Sequence, residues 1–240
     1  MNQTIETILA HRSIRKFTEQ PISSEVLATL VDCARAASSS SNIQCVSIIR
    51  IVDSKKRELL AEYAGGQAYV VSAAEFLVFC ADFNRHQQIK PDSKLGYTEQ
   101  TLIGAVDSAL MAQNCLLAAE SLGLGGVYIG GLRNNPDQVC ELLDLPENVF
   151  PMFGMCLGYP DQDPALKPRL PSDLIMHTDG YQSMDTEKLS KYDATVREYY
   201  DIRTGGKLDQ SWSEQVSAIL SKEARPFMQQ SLNKQGFAKK

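Results

Sequence analysis

The sequence lacks the patterns that mark disulfide-linked, metal-binding and membrane proteins. Its six cysteines form no CxxC pair and lie mostly in apolar runs, which predicts buried free thiols in a reducing compartment. The three histidines are far apart and lack metal-ligand spacing, so no metal site is expected. We find no apolar stretch near the length of a membrane span and no signal-peptide pattern at Met1. The sequence therefore predicts a cytoplasmic protein with no membrane partner.

Motifs of three common enzyme classes are also absent. The segment from Gly123 to Tyr128 fails GxGxxG, because Tyr128 occupies the third glycine position and the segment follows a predicted helix. Gly205-Gly206-Lys207 lacks the earlier glycine and the preceding strand of a P-loop. No serine stands in GxSxG. These absences disfavour a dinucleotide-binding fold of that type, a P-loop fold and a serine hydrolase.

The charge balance argues against nucleic acid as a partner. The 240 residues carry a net charge of −5 with a pI near 5.3, whereas nucleic-acid binding usually needs a basic excess or a basic face. The charge is uneven, since from Arg203 onward seven Lys and Arg accompany only three acids, giving +4 there and −9 elsewhere. The length predicts a single domain over 1–240 with a helical C-terminal extension from about 185 to 240.

Two basic clusters and a glycine-rich turn stand out against this acidic background. The heptapeptide His11-Arg12-Ser13-Ile14-Arg15-Lys16-Phe17 comes early, Lys167-Pro168-Arg169 comes late, and the turn from Gly125 to Arg133 lies between them. Taken singly, each is most simply a surface ion-pair cluster or a tight turn. Together they predict a site for an anionic cofactor, because a phosphate monoester presents acceptor oxygens that Arg and Lys match.

Hydrophobic patterning predicts an alternation of strands and helices with a helical tail. The predicted strands span 45–52, 75–82, 127–129 and 150–157, and the predicted helices span 4–10, 24–37, 55–63, 98–122, 136–143, 185–200, 212–222 and 226–234. The longest helix, 98–122, has only Glu99, Asp107 and Glu120 as charged residues. A helix apolar on all sides is typical of a large core or a subunit interface.

In order and spacing the motifs resemble the FMN-dependent nitroreductases, and within them the NADPH-preferring oxygen-insensitive nitroreductase and NADPH–flavin oxidoreductase group. The resemblance covers essentially the whole chain. It is carried by His-Arg-Ser-Ile-Arg, the serine-rich turn, Ala-Glu-Phe-Leu-Val-Phe-Cys, Gly-Gly-Val-Tyr-Ile-Gly-Gly-Leu-Arg-Asn, Leu-Lys-Pro-Arg-Leu-Pro and Ala224-Arg225-Pro226. It implies an α+β fold with a central, mostly antiparallel sheet flanked by helices, and an intertwined homodimer with two FMN sites at the interface.

The resemblance also implies roles for individual residues. The FMN phosphate would be held by His11, Arg12, Ser13, Lys167 and Arg169, within the wider segments that include Ile14 and Pro168. The flavin ring would be contacted by Arg15, Gln67, Tyr69, Tyr128, Ile129, Gly130, Gly131, Leu132 and Arg133, with the Gly130 N–H near N5 and Arg15 near N1 and O2. Ser39, Ser40 and Ser41 would reach the flavin from the second subunit.

NADPH would be bound by Arg203, Arg133, Arg225 and Lys207. One departure from the family pattern is that a second arginine expected near position 208 is absent, and Lys207 is a weaker bidentate phosphate ligand. The implied activity is a ping-pong, two-electron transfer from NADPH through FMN to nitroaromatics, quinones or free flavin. A dedicated flavin reductase and a non-catalytic flavin-binding protein are the alternatives.

Overall fold

The computed structural model describes residues 2–240 and divides the chain into two compact units. The first unit takes the chain up to Pro164 and again from Arg225 to Lys240, and the second comprises Ala165–Ala224. The sheet and the long helix belong to the first unit. The predicted helical extension at 185–240 differs in its bounds from the second unit. Its last helix, Met228–Lys234, belongs to the first unit.

A four-stranded antiparallel sheet forms the centre of the first unit. Its strands are β1 (Val46–Arg50), β2 (Glu75–Asp82), β3 (Gly125–Ile129) and β4 (Val149–Gly158). They are ordered β1-β2-β4-β3, so the middle is occupied by β2, which is buried throughout, and β4, which is buried at all positions but Phe153. The register places Phe79 opposite Phe153 and Tyr128 opposite Met155. The predicted α+β fold with an antiparallel central sheet is confirmed.

Seven α-helices, of four to 24 residues, accompany this sheet in the described chain up to Leu142. They are α1 (Gln3–Leu9), α2 (Ser24–Arg35), α3 (Ser54–Tyr63), α4 (Tyr69–Ser72), α5 (Asn84–Ile89), α6 (Thr98–Ser121) and α7 (Pro136–Leu142). The chain signals these starts locally: Ser23 caps α2 by accepting from the Val26 N–H, and Asp53 caps α3 in the same way. Pro136 supplies the first residue of α7.

Helix α6 packs along the sheet and against α2. Its Leu116, Cys115 and Ala119 are fully buried in a cluster with Phe79 and Met155. By length and composition α6 would also be long enough to cross a membrane, so the expectation that no apolar stretch reaches that length is wrong for this segment. The segment is this long and apolar because it carries apolar residues on two faces, one packed in the core and one exposed. Leu102, Val106 and Leu110 are 57%, 56% and 44% exposed.

The second unit is built on two helices, α8 (Thr186–Thr204) and α9 (Trp212–Leu220). Gly205 ends α8 in the left-handed conformation, with φ of 62°, which glycine adopts without the steric cost of a side chain. Tyr192 of α8 packs edge-to-face on Trp212 of α9, with ring centroids 5.9 Å apart. Helix α10 (Met228–Lys234) follows in the first unit, where Phe237 lies against Phe83 and Phe150.

Candidate functional site

The basic segment after α1 lies against the start of β3. The Ile14 N–H donates to the Gly126 carbonyl at 3.0 Å, and the Ile14 side chain is buried. A Cβ on Gly125 would lie 2.5 Å from Cγ1 of Ile14, so only glycine permits this approach. The anchored Ile14 fixes the backbone between the partly buried stretch His11 to Ser13 and the exposed pair Arg15 and Lys16.

His11 and Arg12 each contact an acidic side chain of the first unit. His11 Nδ1 lies 2.5 Å from Oε1 of Glu120, in the last turn of α6. Arg12 Nη2 lies 3.0 Å from Oδ1 of Asp163, and its Nη1 donates to the Pro164 carbonyl. Arg12, Glu120 and Ile14 also line an open cleft of about 650 Å³. The structure therefore places Arg12 and the carboxylate partner of His11 at one cleft.

The glycine turn follows β3 as a short 3₁₀ helix over Gly130–Asn134. A Cβ on Gly131 would lie 2.4 Å from the Ala64 carbonyl oxygen and 2.6 Å from Nε2 of Gln67. Gln67 donates to that same carbonyl at 2.8 Å and accepts from the Tyr69 hydroxyl at 2.8 Å. The structure thus brings Gly131 next to Gln67 and Tyr69, which lie far earlier in the chain.

Two guanidinium groups flank the same turn. Arg133 is partly buried and donates from Nη1 to the Met152 carbonyl, and its burial and the nearby charge of Arg225 lower its pKa. Arg225 donates to the Gly130 carbonyl at 3.4 Å and to Oδ1 of Asn134 at 2.9 and 3.0 Å. Both side chains are therefore occupied by groups of the first unit.

An apolar cleft opens beside Gly130. It has a volume of about 590 Å³ and is lined by Val106, Ala109, Leu110, Gln113, Tyr128, Gly130, Arg133 and Phe153. The Tyr128 ring packs edge-to-face on Phe153 at 5.4 Å, and its hydroxyl donates to Gln113 Oε1 at 3.1 Å. Burial raises the pKa of Tyr128, so this hydroxyl stays protonated. Aromatic walls with a few polar groups are typical of sites for flat organic ligands.

The serine-rich segment forms a constrained loop ahead of β1. Ser41, Asn42 and Gln44 all have positive φ, between 48° and 55°, which is an unfavourable conformation for residues other than glycine. Asp107 of α6, only 3% exposed, holds the loop by accepting from the Ser40 N–H at 3.2 Å. Cys45 also donates to Asp107, and burial together with that carboxylate raises the pKa of Cys45 to about 12.

In the second unit, α8 carries aromatic partners for two of the predicted ligands. Lys167 Nζ lies 5.4 Å from the centroid of the Tyr200 ring, and Arg203 stacks on Tyr199. The Tyr192 hydroxyl donates to the Pro168 carbonyl at 3.1 Å. Tyr199 and Tyr200 also pack edge-to-face on each other, so they place a lysine and an arginine on neighbouring rings. Arg169 and Lys207 are exposed.

Several residues at these sites escaped sequence reasoning. Three residues contact predicted ligands without having been assigned a role in the site from the sequence: Glu120, Asp107 and Asn134. One signal was present for Glu120, since an acidic residue at a helix C-terminus is unfavourable without a compensating partner. Among the described residues 2–240, no group of three or more His, Cys, Asp and Glu is arranged to hold a metal ion.

The model of the Nitroreductase family matches residues 8–159, and that of the Nitroreductase family, C-terminal domain, matches 167–240. The chain is 58% identical over 240 residues to the NADPH-flavin oxidoreductase of Vibrio harveyi, covering all of both chains. It is 53% identical over 238 residues to the oxygen-insensitive NADPH nitroreductase of Salmonella typhimurium, covering 99% of each.

Solved structures of nitroreductases and flavin oxidoreductases have the same fold over the whole chain. Nitroreductase A from Vibrio parahaemolyticus superposes with a TM-score of 0.96 at 56% identity, covering all of both chains. The NADPH:FMN oxidoreductase from Vibrio harveyi complexed with NAD⁺ superposes with a TM-score of 0.94, also at 56% identity and full coverage. At this similarity the fold defines an oxidoreductase of the nitroreductase type. The chain belongs to the nitroreductase family.

Proposed function

We propose that the protein is an NADPH-dependent FMN oxidoreductase that reduces nitroaromatics, quinones and similar small organic acceptors. The observation that carries the proposal is the glycine turn, because Gly130 and Gly131 sit between the apolar cleft at Tyr128 and the Gln67–Tyr69 pair. The full-length relatives named as NADPH-flavin oxidoreductase and NADPH nitroreductase support the same activity. A cytoplasmic location fits this use of NADPH and belongs to the same proposal.

The residues at the turn fit a flavin ring. A Cβ on Gly130 would meet only the Arg133 side chain, at 3.4 Å, so the turn's backbone can approach a flat ligand closely. When bound, FMN would accept and pass on a hydride, while the protein orients it and sets the surrounding charge. We assign the Gly130 N–H to N5 of the ring, and Arg15, Gln67 and Tyr69 to the N1 and O2 edge. A cation there would offset negative charge that builds up on reduction.

Within the first unit we assign His11, Arg12 and Ser13 to the FMN phosphate. Within the second unit Lys167 and Arg169 are the candidate phosphate ligands. The support within the first unit is that His11 and Arg12 are each held by a carboxylate partner, Glu120 and Asp163 respectively. The support within the second unit is that Tyr200 and Tyr192 hold the Lys167-Pro168 segment. Arg forks and Lys ammonium groups suit a phosphate dianion.

We propose further that the protein is a homodimer whose α6 helices meet. Leu102, Val106 and Leu110 recur every four residues and form an exposed apolar stripe that continues into the cleft beside Gly130. An exposed apolar stripe next to a ligand cleft is typical of a protein interface. In this arrangement Ser39 to Ser41 are supplied to each flavin by the second subunit, and the Asp107 contact pre-arranges their loop.

For NADPH, Arg203 is the principal candidate. Arg225 is hydrogen-bonded to the glycine turn and Arg133 to the Met152 carbonyl of β4, whereas Arg203 and Lys207 are exposed beside Gly205 and Gly206. Arg203 is also held by Tyr199. A 2′-phosphate distinguishes NADPH from NADH, so preference requires a cation that only this group reaches.

The proposal is tested first by the visible spectrum of the purified protein. We expect a flavin spectrum that bleaches anaerobically with NADPH and returns on addition of a nitroaromatic or a quinone. Colour without bleaching would support a non-catalytic flavin-binding protein. A preparation that takes up no FMN would overturn both readings. Steady-state rates with a nitroaromatic and with free FMN as acceptors separate the nitroreductase from the dedicated flavin reductase.

A further inference from the structure

The pairing of His11 with Glu120 joins a proposed phosphate ligand to a residue outside the predicted site. His11 Nδ1 and Glu120 Oε1 are 2.5 Å apart, and the two side chains are only 26% and 12% exposed. They are separated by 109 residues in the chain. A short, largely buried contact of this kind between a ring nitrogen and a carboxylate fixes the orientation of the imidazole.

The position of Glu120 on α6 makes the contact more informative. Glu120 lies in the last turn of the helix, where the partial negative charge of the helix end disfavours a carboxylate, and α6 carries no basic residue in that turn. The Leu124 N–H donates to the Ala119 carbonyl, and the helix ends at Ser121, immediately beyond Glu120. A helix end of this composition needs a hydrogen-bond donor from elsewhere, and His11 provides it.

We propose that Glu120 is a positioning residue for the FMN phosphate, acting through His11. Nδ1 and Nε2 lie on different edges of the imidazole ring, so engagement of Nδ1 by Glu120 leaves Nε2 as the atom that meets a phosphate oxygen. Glu120 lines the same cleft as Arg12, the next proposed phosphate ligand. Glu120 thereby contributes to the choice of FMN over flavins that lack the phosphate. This inference rests on the proposed FMN-binding function.

The test measures dissociation constants for FMN and for riboflavin on protein freed of flavin, by quenching of flavin fluorescence. We expect Glu120→Ala to weaken FMN binding about tenfold, the scale of one charge-assisted hydrogen bond, and to leave riboflavin binding within about twofold. Glu120→Gln keeps an acceptor for Nδ1 and should retain more FMN affinity than Glu120→Ala. Glu99→Gln, an exposed acid on the same helix, is the matched control and should change neither constant.

A double-mutant cycle shows whether Glu120 acts through His11. If it does, His11→Ala combined with Glu120→Ala binds FMN no more weakly than His11→Ala alone. Fully additive losses would overturn the inference, as would equal losses of FMN and riboflavin in Glu120→Ala, which would indicate a purely structural role. Failure of the proposed function would look different: the unmodified protein would bind riboflavin as tightly as FMN, or bind no flavin at all.

Discussion

Arg203 stacks its guanidinium on the ring of Tyr199, 5.8 Å from the centroid, and donates from Nη1 to the hydroxyl of the same side chain at 3.0 Å. Both residues lie on α8, four positions apart, and the helix ends one residue later at Thr204. A long, flexible cation is thereby held in one place next to a glycine-rich loop. Such pre-arrangement suits a residue that must meet a single phosphate.

We expect Arg203→Ala to raise the KM for NADPH strongly and to leave the KM for NADH nearly unchanged. The reason is that only NADPH carries the 2′-phosphate, and loss of uniform binding affects KM more than kcat. Steady-state kinetics with both nucleotides, at constant FMN content, measure the effect. Lys222→Ala, which removes a basic residue of the same tail, is the control. Equal changes for both nucleotides would show that Arg203 holds the loop instead.

Arg169→Ala should weaken FMN binding by roughly 1.5–3 kcal/mol, the scale of one hydrogen bond to a charged group. Riboflavin has no phosphate, so its binding should be unaffected. Equilibrium dialysis with each flavin measures the difference. A variant that loses both flavins equally would remove Arg169 from the phosphate site.

Val106→Glu should shift the protein from dimer to monomer and lower its FMN content. Val106 is 56% exposed in the middle of the apolar stripe on α6, and a buried unpaired carboxylate at an interface is strongly unfavourable. Sedimentation at micromolar protein measures the assembly state. Val52→Glu, at an even more exposed valine outside α6, should leave the dimer intact. A stable, flavin-loaded monomer of the unmodified 26.5 kDa chain would contradict the dimer itself.

Gly131→Ala should destabilise the fold by about 1–3 kcal/mol, because its Cβ would overlap a backbone carbonyl that cannot move without shifting α3. That Cβ would lie 2.4 Å from the Ala64 oxygen. Gly180→Ala is the matched control, since a Cβ there meets nothing within 4 Å. Thermal unfolding of the two variants compares them. Equal stability of Gly131→Ala and the unmodified protein would show that the turn is less rigid than its geometry indicates.

Stability should fall in alkaline solution, and Cys45 should account for part of the loss. Folding raises its pKa from 9.0 to about 12, so between these values the folded state keeps a proton that the unfolded state releases. Stability therefore decreases as pH rises through this window, by about 1.4 kcal/mol per pH unit for one thiol.

Urea unfolding at pH 7 and pH 10 measures this dependence. Cys45→Val removes the ionisable thiol and should lose less stability between the two pH values than the unmodified protein does. Cys33→Val, at a thiol that is only partly buried, serves as the comparison. An identical pH dependence in Cys45→Val and the unmodified protein would exclude a contribution from Cys45.

Local patterns explain which parts of the fold the sequence could predict. The strands near Glu75 and Phe150 are long apolar runs, and α6 is bounded by Gly123, so both were recognisable from residues close together in the chain. The short helices α4 and α5, of four and six residues, carry too few positions for a periodic pattern and were not predicted. Family resemblance, rather than composition, supplied the assignment of ligands.

Long-range partners explain what the sequence could not predict. The sequence assigns Arg225 to NADPH but gives no sign of its contact with Asn134, 91 positions away in the chain. The same holds for Glu120 with His11 and for Asp107 with Ser40. A charge in a sequence shows that a partner is needed without showing which one, because the choice depends on how the strands bring distant segments together.

The chain leaves the first unit at Pro164 and rejoins it at Arg225, and this has a consequence for limited proteolysis. A cut within 165–224 would separate the covalent chain into two fragments while leaving the first unit held together without a peptide link. Asn148 donates its N–H to the Gln235 carbonyl, Lys234 pairs with Asp137, and Thr98 donates to the Lys240 carbonyl. A nicked protein should therefore migrate as two fragments in denaturant and as one folded species in buffer.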